Sequence, residues 1–211
     1  MSVNLLQQQL QDIYEVDIQH RVSDYLITCP ALARDISGDS VSGQKERLLL
    51  NQDNNELSLS LFLDDEVVRS VQEKDPLHDM QHFCLALEGV SHFLYLIWNA
   101  SFDRQITLLE LELQAEIDKF VMMVFSSQEQ SQPIEPSFFR KLLFENVRLH
   151  EELDSTQKER YIEASRLAEK YCWKLESDYL ARRSRQEVLA ELRQFYRLGQ
   201  GEKLRRINRT H

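Results

Sequence analysis

The chain has 211 residues, 42% of them hydrophobic, yet only five glycines and four prolines. That balance builds long helices over a sizeable core and excludes an all-β sandwich or a phosphate-cradling glycine loop. A net charge of −10 sets most of the chain against phosphate backbones.

Three cysteines, Cys29, Cys84 and Cys172, lie far apart and form no Cys-x-x-Cys pair, which excludes a zinc ribbon and suits small buried thiols in a reducing compartment. The first sixteen residues lack a basic stretch followed by an apolar run, so no secretory signal is expected and a cytoplasmic protein is.

Over residues 3–28, Leu6, Leu10 and Ile13, then Ile18, Val22, Tyr25 and Leu26, recur at helical spacing and predict one helix or two. Pro30 breaks the pattern, and residues 31–36 are too short to do more than cap the segment. Ser37–Gly43 is a loop of small turn formers. Its resemblance to a P-loop fails because Gln44 separates Gly43 from Lys45, and Glu46 stands where a hydroxyl is required.

The one β signal follows. Leu57, Leu59, Leu61 and Leu63 alternate with Glu56, Ser58, Ser60 and Phe62, which puts the leucines on one face of a strand. Arg47–Asn51 is the predicted partner, joined through a turn at Gln52–Asn55. A two-stranded antiparallel hairpin is marginal alone, so the leucine face must pack on helices or on a second copy.

Asp64 or Asp65 caps a short helix that ends before Pro76. The next helix, from about His78 to Ala100, is apolar nearly all round. On its wheel Gln81, Glu88, His92 and Asn99 share an arc of about 40°. Its apolar part is too short and too charged for a membrane span. Glu88 and His92 stand at i, i+4, where a carboxylate orients an imidazole for acid–base work, and Glu110 on the following helix is placed to join them. The competing readings of this line are a solvent-facing edge and a structural hydrogen-bond network.

His78-Asp-Met-Gln-His82 approximates the zincin His-Glu-x-x-His with Asp in place of Glu. Glu88 or Glu112 would be its third ligand, but surface histidines are the default, and neither a metal nor another cofactor is expected. Glu112 and Glu116 lack the Glu-x-x-His partners of a di-iron bundle.

Leu108–Val124 makes a second apolar helix, with Leu109, Leu113, Ile117, Phe120 and Val124 as its main face. A short link between two such helices predicts an antiparallel hairpin, the expected core. Ser126–Pro136 reads as a polar linker, and Ser137 opens a helix to about Asp154. A capping pair at Thr156 and Glu159 starts a long helix striped by Tyr161, Ala164, Ala168, Cys172, Leu175 and Tyr179. Ser184 and Glu187 repeat the capping pattern and predict a restart. The last helix should stop at Gly199, with residues after Gly201 loose.

Residues 182–211 carry nine basic and three acidic side chains, a net of +6, against 16 basic and 32 acidic in the rest. Arg182, Arg183, Arg185, Arg193, Arg197, Lys203, Arg205 and Arg206, interleaved with Phe195 and Tyr196, are candidates for anion or single-stranded nucleic-acid contact. The competing expectation is that this segment folds back onto its own acidic body.

These readings predict a mostly α (α+β) protein, a helical bundle around a central apolar helical hairpin with one two-stranded β-hairpin. Residues 1–125 and 137–211, joined by the 126–136 linker, are expected to pack as one domain. Excess amphipathic surface and an unsupported hairpin point to a non-enzymatic interaction or assembly protein, first of all a homodimer. The alternatives are an enzyme or ligand-binding protein using Gln81, Glu88, His92, Asn99 and Glu110, and nucleic-acid binding through the basic end.

Overall fold

Ser2 starts the first helix, its hydroxyl accepting from the Leu5 N–H at 3.2 Å. The computed structural model describes residues 1–38, 44–53, 56–73, 78–145 and 154–209. Most of the Ser37–Gly43 loop, the tip of the Gln52–Asn55 turn, Pro76 and residues 146–153, over which the Ser137 helix is expected to run on toward Asp154, lie outside those residues.

Helix α1 (Val3–Tyr14) stops where Glu15 enters the left-handed region at φ 53°. The second helical stretch expected before residue 28 does not form. Gln7 on α1 donates to the His20 carbonyl and accepts from the Val22 N–H, both at 2.8 Å. That clamp draws Val22 into the core, and the backbone makes a 3₁₀ turn at Val22–Asp24 and a short strand β1 (Leu26–Ile27) instead.

Strands β2 (Glu46–Asp53) and β3 (Glu56–Leu63) pair antiparallel, as the alternation predicts. However, β1 pairs parallel with β3, Leu26 opposite Leu61, so the sheet has three strands in mixed order β1-β3-β2 rather than two. A two-residue strand carries no period and is invisible in the pattern. Leu61 and Leu63 face the main core. On the opposite face Phe62 and Leu49 pack on Ala33, which belongs to α2 (Pro30–Ser37). The 31–36 segment is therefore a helix covering the back of the sheet, not merely a cap.

Helix α3 (Asp65–Glu73) lies on α4 (Met80–Ala100), which is capped by Asp79. Next comes α5 (Leu108–Gln128), opened by a reciprocal Thr107–Glu110 capping box. Glu88 meets Lys119 and Ser91 meets Asp118, so the two helices run antiparallel. Among the described residues α4 is the one helix long and apolar enough to cross a membrane, and 67% of that stretch is buried inside the protein.

The predicted linker begins as helix, because α5 continues through Ser126–Gln128. Ser127 is fully buried, and its hydroxyl accepts from the Ile134 N–H at 2.6 Å. That closes a tight connection to α6 (Pro136–Phe144), which packs against α5 and α7 (Ser155–Leu175). Asp154 and Gln157 form the capping box of α7, two residues ahead of the Thr156–Glu159 pair.

A π-helical turn at Glu176–Leu180 and the Ser184–Glu187 capping box lead into α8 (Arg185–Tyr196). Gly199 does not end the chain's order. It is the N-cap of α9 (Gln200–Asn208), whose Lys203 and Ile207 are buried. One hydrophobic core thus includes side chains from Val3 to Ile207.

Candidate functional site: a buried acid–imidazole cluster

Gly89 sits where α4 meets the sheet. A β-carbon there would stand 2.8 Å from the Leu61 side chain and 3.1 Å from that of Glu46. This close approach lets Glu46, the first residue of β2, turn inward onto α4. Its Oε1 lies 3.5 Å from His92 Nδ1, and the Glu112 carboxylate from α5 lies 3.4 Å from His92 Nε2. All three side chains are more than nine-tenths buried. Both separations exceed those of a strong N–H···O bond, and Glu46 Oε1 and His92 Nε2 have no hydrogen-bond partner.

A second group adjoins the first. Lys119 Nζ donates to Glu116 at 2.6 Å and to Glu88 at 3.1 Å. From α7, Arg160 Nε reaches to 3.9 Å of Glu112, and the Tyr161 phenol is raised by burial and by the Glu112, Glu88 and Glu46 charges.

The electrostatics follow from the burial. Desolvation pushes the Glu46 carboxyl up against the pull of His92, and that of Glu116 up against Lys119. Desolvation alone would push His92 and Lys119 down. Glu112 and Glu46 outweigh it for His92, and Glu116 and Glu88 for Lys119, so both cations are held well above their ordinary values. Burial, opposed by Lys119, pushes the neighbouring Cys84 thiol up to about 12, which keeps it protonated and unreactive.

The polar line seen on the helical wheel is divided by the fold. Glu88 and His92 belong to this cluster. Gln81 is exposed. Asn99 is buried but donates to the Tyr95 carbonyl one turn back at 2.8 Å. Glu110 accepts from the Thr107 N–H at 3.1 Å within its capping box, and its charge falls on Tyr95 and Lys203. The solvent-edge reading is overturned at His92 and Asn99, which α5, the sheet and neighbouring segments cover.

His78 precedes the Asp79 cap, so the two zincin-like histidines do not share a helical face. His82 contacts Asp79 through Nδ1 at 2.9 Å and Lys45 through Nε2 at 3.4 Å.

Glu46, Glu112, Glu116, Lys119 and Arg160 were not predicted to assemble around His92. They come from β2, α5 and α7, and spacing within one element cannot report a meeting of four.

The basic end is largely committed internally. Arg193 and Arg197 donate to the Ile13, Tyr14 and Glu15 carbonyls at 3.0 Å, satisfying the last carbonyls of α1. Arg206 forks onto Glu191, and Lys203 is enclosed by aromatic rings. Arg185 lies over the Phe125 ring at 4.5 Å. Arg205 is 3.8 Å from Glu202. Arg182 and Arg183 line a surface cleft of about 460 Å³ with Asp178 and Tyr179.

Comparison with known protein families, curated proteins and solved structures finds nothing that matches this chain.

Proposed function

We propose that the chain works as a non-enzymatic interaction or assembly protein that joins a second copy of itself through the outer faces of α6 and α7. The observation that carries this reading is two pairs of large apolar side chains left on the surface of two helices that pack together. Ile162 and Trp173 are 53% and 57% exposed, and their eleven-residue spacing turns them to within about 20° of each other on α7. Phe138 and Leu142, one turn apart on α6, are 49% and 42% exposed.

Exposed aromatic and aliphatic residues aligned at helical spacing suit helix-on-helix association. The Arg166–Glu163 pair between them supplies a polar rim. Near its base the β-hairpin is covered on both faces, Leu61 and Leu63 by the main core and Leu49 and Phe62 by α2, so that part needs no partner.

Light scattering on a sizing column tests this directly. The wild-type chain is expected at twice its 25.0 kDa mass, and Trp173→Glu combined with Ile162→Glu at the single mass with unchanged helical circular dichroism. A wild-type monomer at every concentration rejects the reading. A ligand-binding role at His92 is the second reading, favoured by the partnerless polar atoms there.

A further inference from the structure

We infer that Glu88, His92 and Glu112 form a site for one divalent transition-metal ion, with Glu46 as the carboxylate that orients the imidazole. This goes beyond assembly and does not depend on it.

Three observations carry it. One donor atom from each of the three side chains lies within 4.8 Å of the others, a spread that rotamer adjustment can close around one ion. The 3.4 Å between His92 Nε2 and Glu112 Oε2 is long for a hydrogen bond, but bonds of about 2.1 Å at a tetrahedral angle separate their donor atoms by about 3.4 Å. Glu46 approaches the other ring nitrogen, Nδ1, as the carboxylate of a carboxylate–histidine–metal triad does when it fixes the tautomer. His92 Nε2 is meanwhile buried with no hydrogen-bond partner, and the group it faces is the Glu112 carboxylate, itself one of the proposed ligands.

Charge points the same way. Glu46, Glu88, Glu112 and Glu116 face Lys119 and Arg160, which leaves two formal negative charges once a metal has displaced the Nε2 proton of His92. A divalent ion balances them, and an imidazole in the donor set favours zinc, iron, nickel or copper over magnesium. Glu88 is the most exposed of the three ligands, and it marks the side from which the ion enters. Lys119 then keeps Glu116 as its partner when Glu88 turns to the metal.

The test uses the full-length protein freed of metal with a chelator. Calorimetric titration with Zn²⁺ is expected to give one ion per chain and a raised Tm, and Co²⁺ a visible absorption band. Mg²⁺ at equal concentration should do neither. His92→Gln and Glu112→Gln should each abolish the band and the Tm shift, Glu46→Gln should weaken binding about 10- to 100-fold at unchanged stoichiometry, and His82→Gln should change nothing. Should His92→Gln fail to fold, Glu88→Gln carries the same expectation at a more exposed position. Absence of saturable Zn²⁺ or Co²⁺ binding by the wild-type chain overturns the inference. So does binding that survives both His92→Gln and Glu112→Gln, or that disappears with His82→Gln.

Discussion

Lys203 is a lysine buried completely in the core. Its ammonium donates to Gln114 Oε1 at 2.8 Å and lies 4.5 Å and 5.1 Å from the Tyr95 and Phe195 ring centres. Nearby, Asp118 accepts from Tyr14, Ser91 and Gln114. Burial pushes Lys203 down to about 7, against the pull of Glu110 and Asp118, and pushes Asp118 up to about 6, against those hydrogen bonds. A lowered lysine pKa leaves the folded chain with fewer protons than the unfolded one between about 7 and about 10.5, so stability rises with pH across that window. For Asp118 the folded chain holds the extra proton, and stability falls as pH rises from about 4 to about 6. Between them this group is least favourable near neutrality. Lys203→Met keeps the packed stem, removes the charge and strands one Gln114 acceptor. It is expected to stabilise the protein by about 1–2 kcal/mol at pH 7 and to lose that advantage by about pH 10. Urea unfolding at the two pH values checks this, and equal destabilisation at both would refute it. The sequence places Lys203 among arginines, where composition reads a solvated charge. Nothing in its neighbours reports that α9 turns it inward.

Elements with strong periodicity or explicit caps were legible. The α4–α5 hairpin follows from two long apolar runs, the β2–β3 pair from strict alternation, and α8 from Ser184 and Glu187. Elements fixed by tertiary contacts were not. The Val22 turn depends on Gln7 reaching across from α1, and β1 exists only because β3 is there to receive it. Gly89 is an instance of the same limit, since a lone glycine in a helical run signals close packing without naming what approaches. Gly89→Ala gains about 1 kcal/mol of helix propensity but forces Leu61 and Glu46 away from α4, at about 1–3 kcal/mol for an overpacked contact. We expect a net loss of about 1 kcal/mol, seen as a Tm lower by about 2–4 °C. A higher Tm would mean that the sheet moves aside freely and that Glu46 is not held onto His92 by this contact.

At the scale of the whole molecule the two ends of the chain are fastened to each other. Arg193 and Arg197 finish α1 from α8, Tyr14 stacks on Tyr196 at 4.1 Å, and α9 lays Lys203 over the Tyr95, Phe195 and Tyr196 rings and buries Ile207 in the core. The fold class was legible because long apolar helices dominate it. The polar cluster was not, because it draws one to three side chains from each of four elements distant in sequence. The charge asymmetry between residues 182–211 and the rest is consistent with this fastening, since Arg206 forks onto Glu191 within its own end while Arg193 lies 3.5 Å from Glu15. Ending the chain after Leu198 is therefore more than trimming a basic tail. It removes the buried Ile207 side chain, worth about 1.5–3 kcal/mol on burial, and opens three aromatic rings to water. It also removes Lys203, whose burial is unfavourable and offsets part of that loss. The truncated chain is expected to melt several degrees lower and to bind a hydrophobic dye that the full chain excludes. A Tm unchanged by the truncation would mean that residues after Gly199 do not pack on the core, and it would withdraw α9 from the fold.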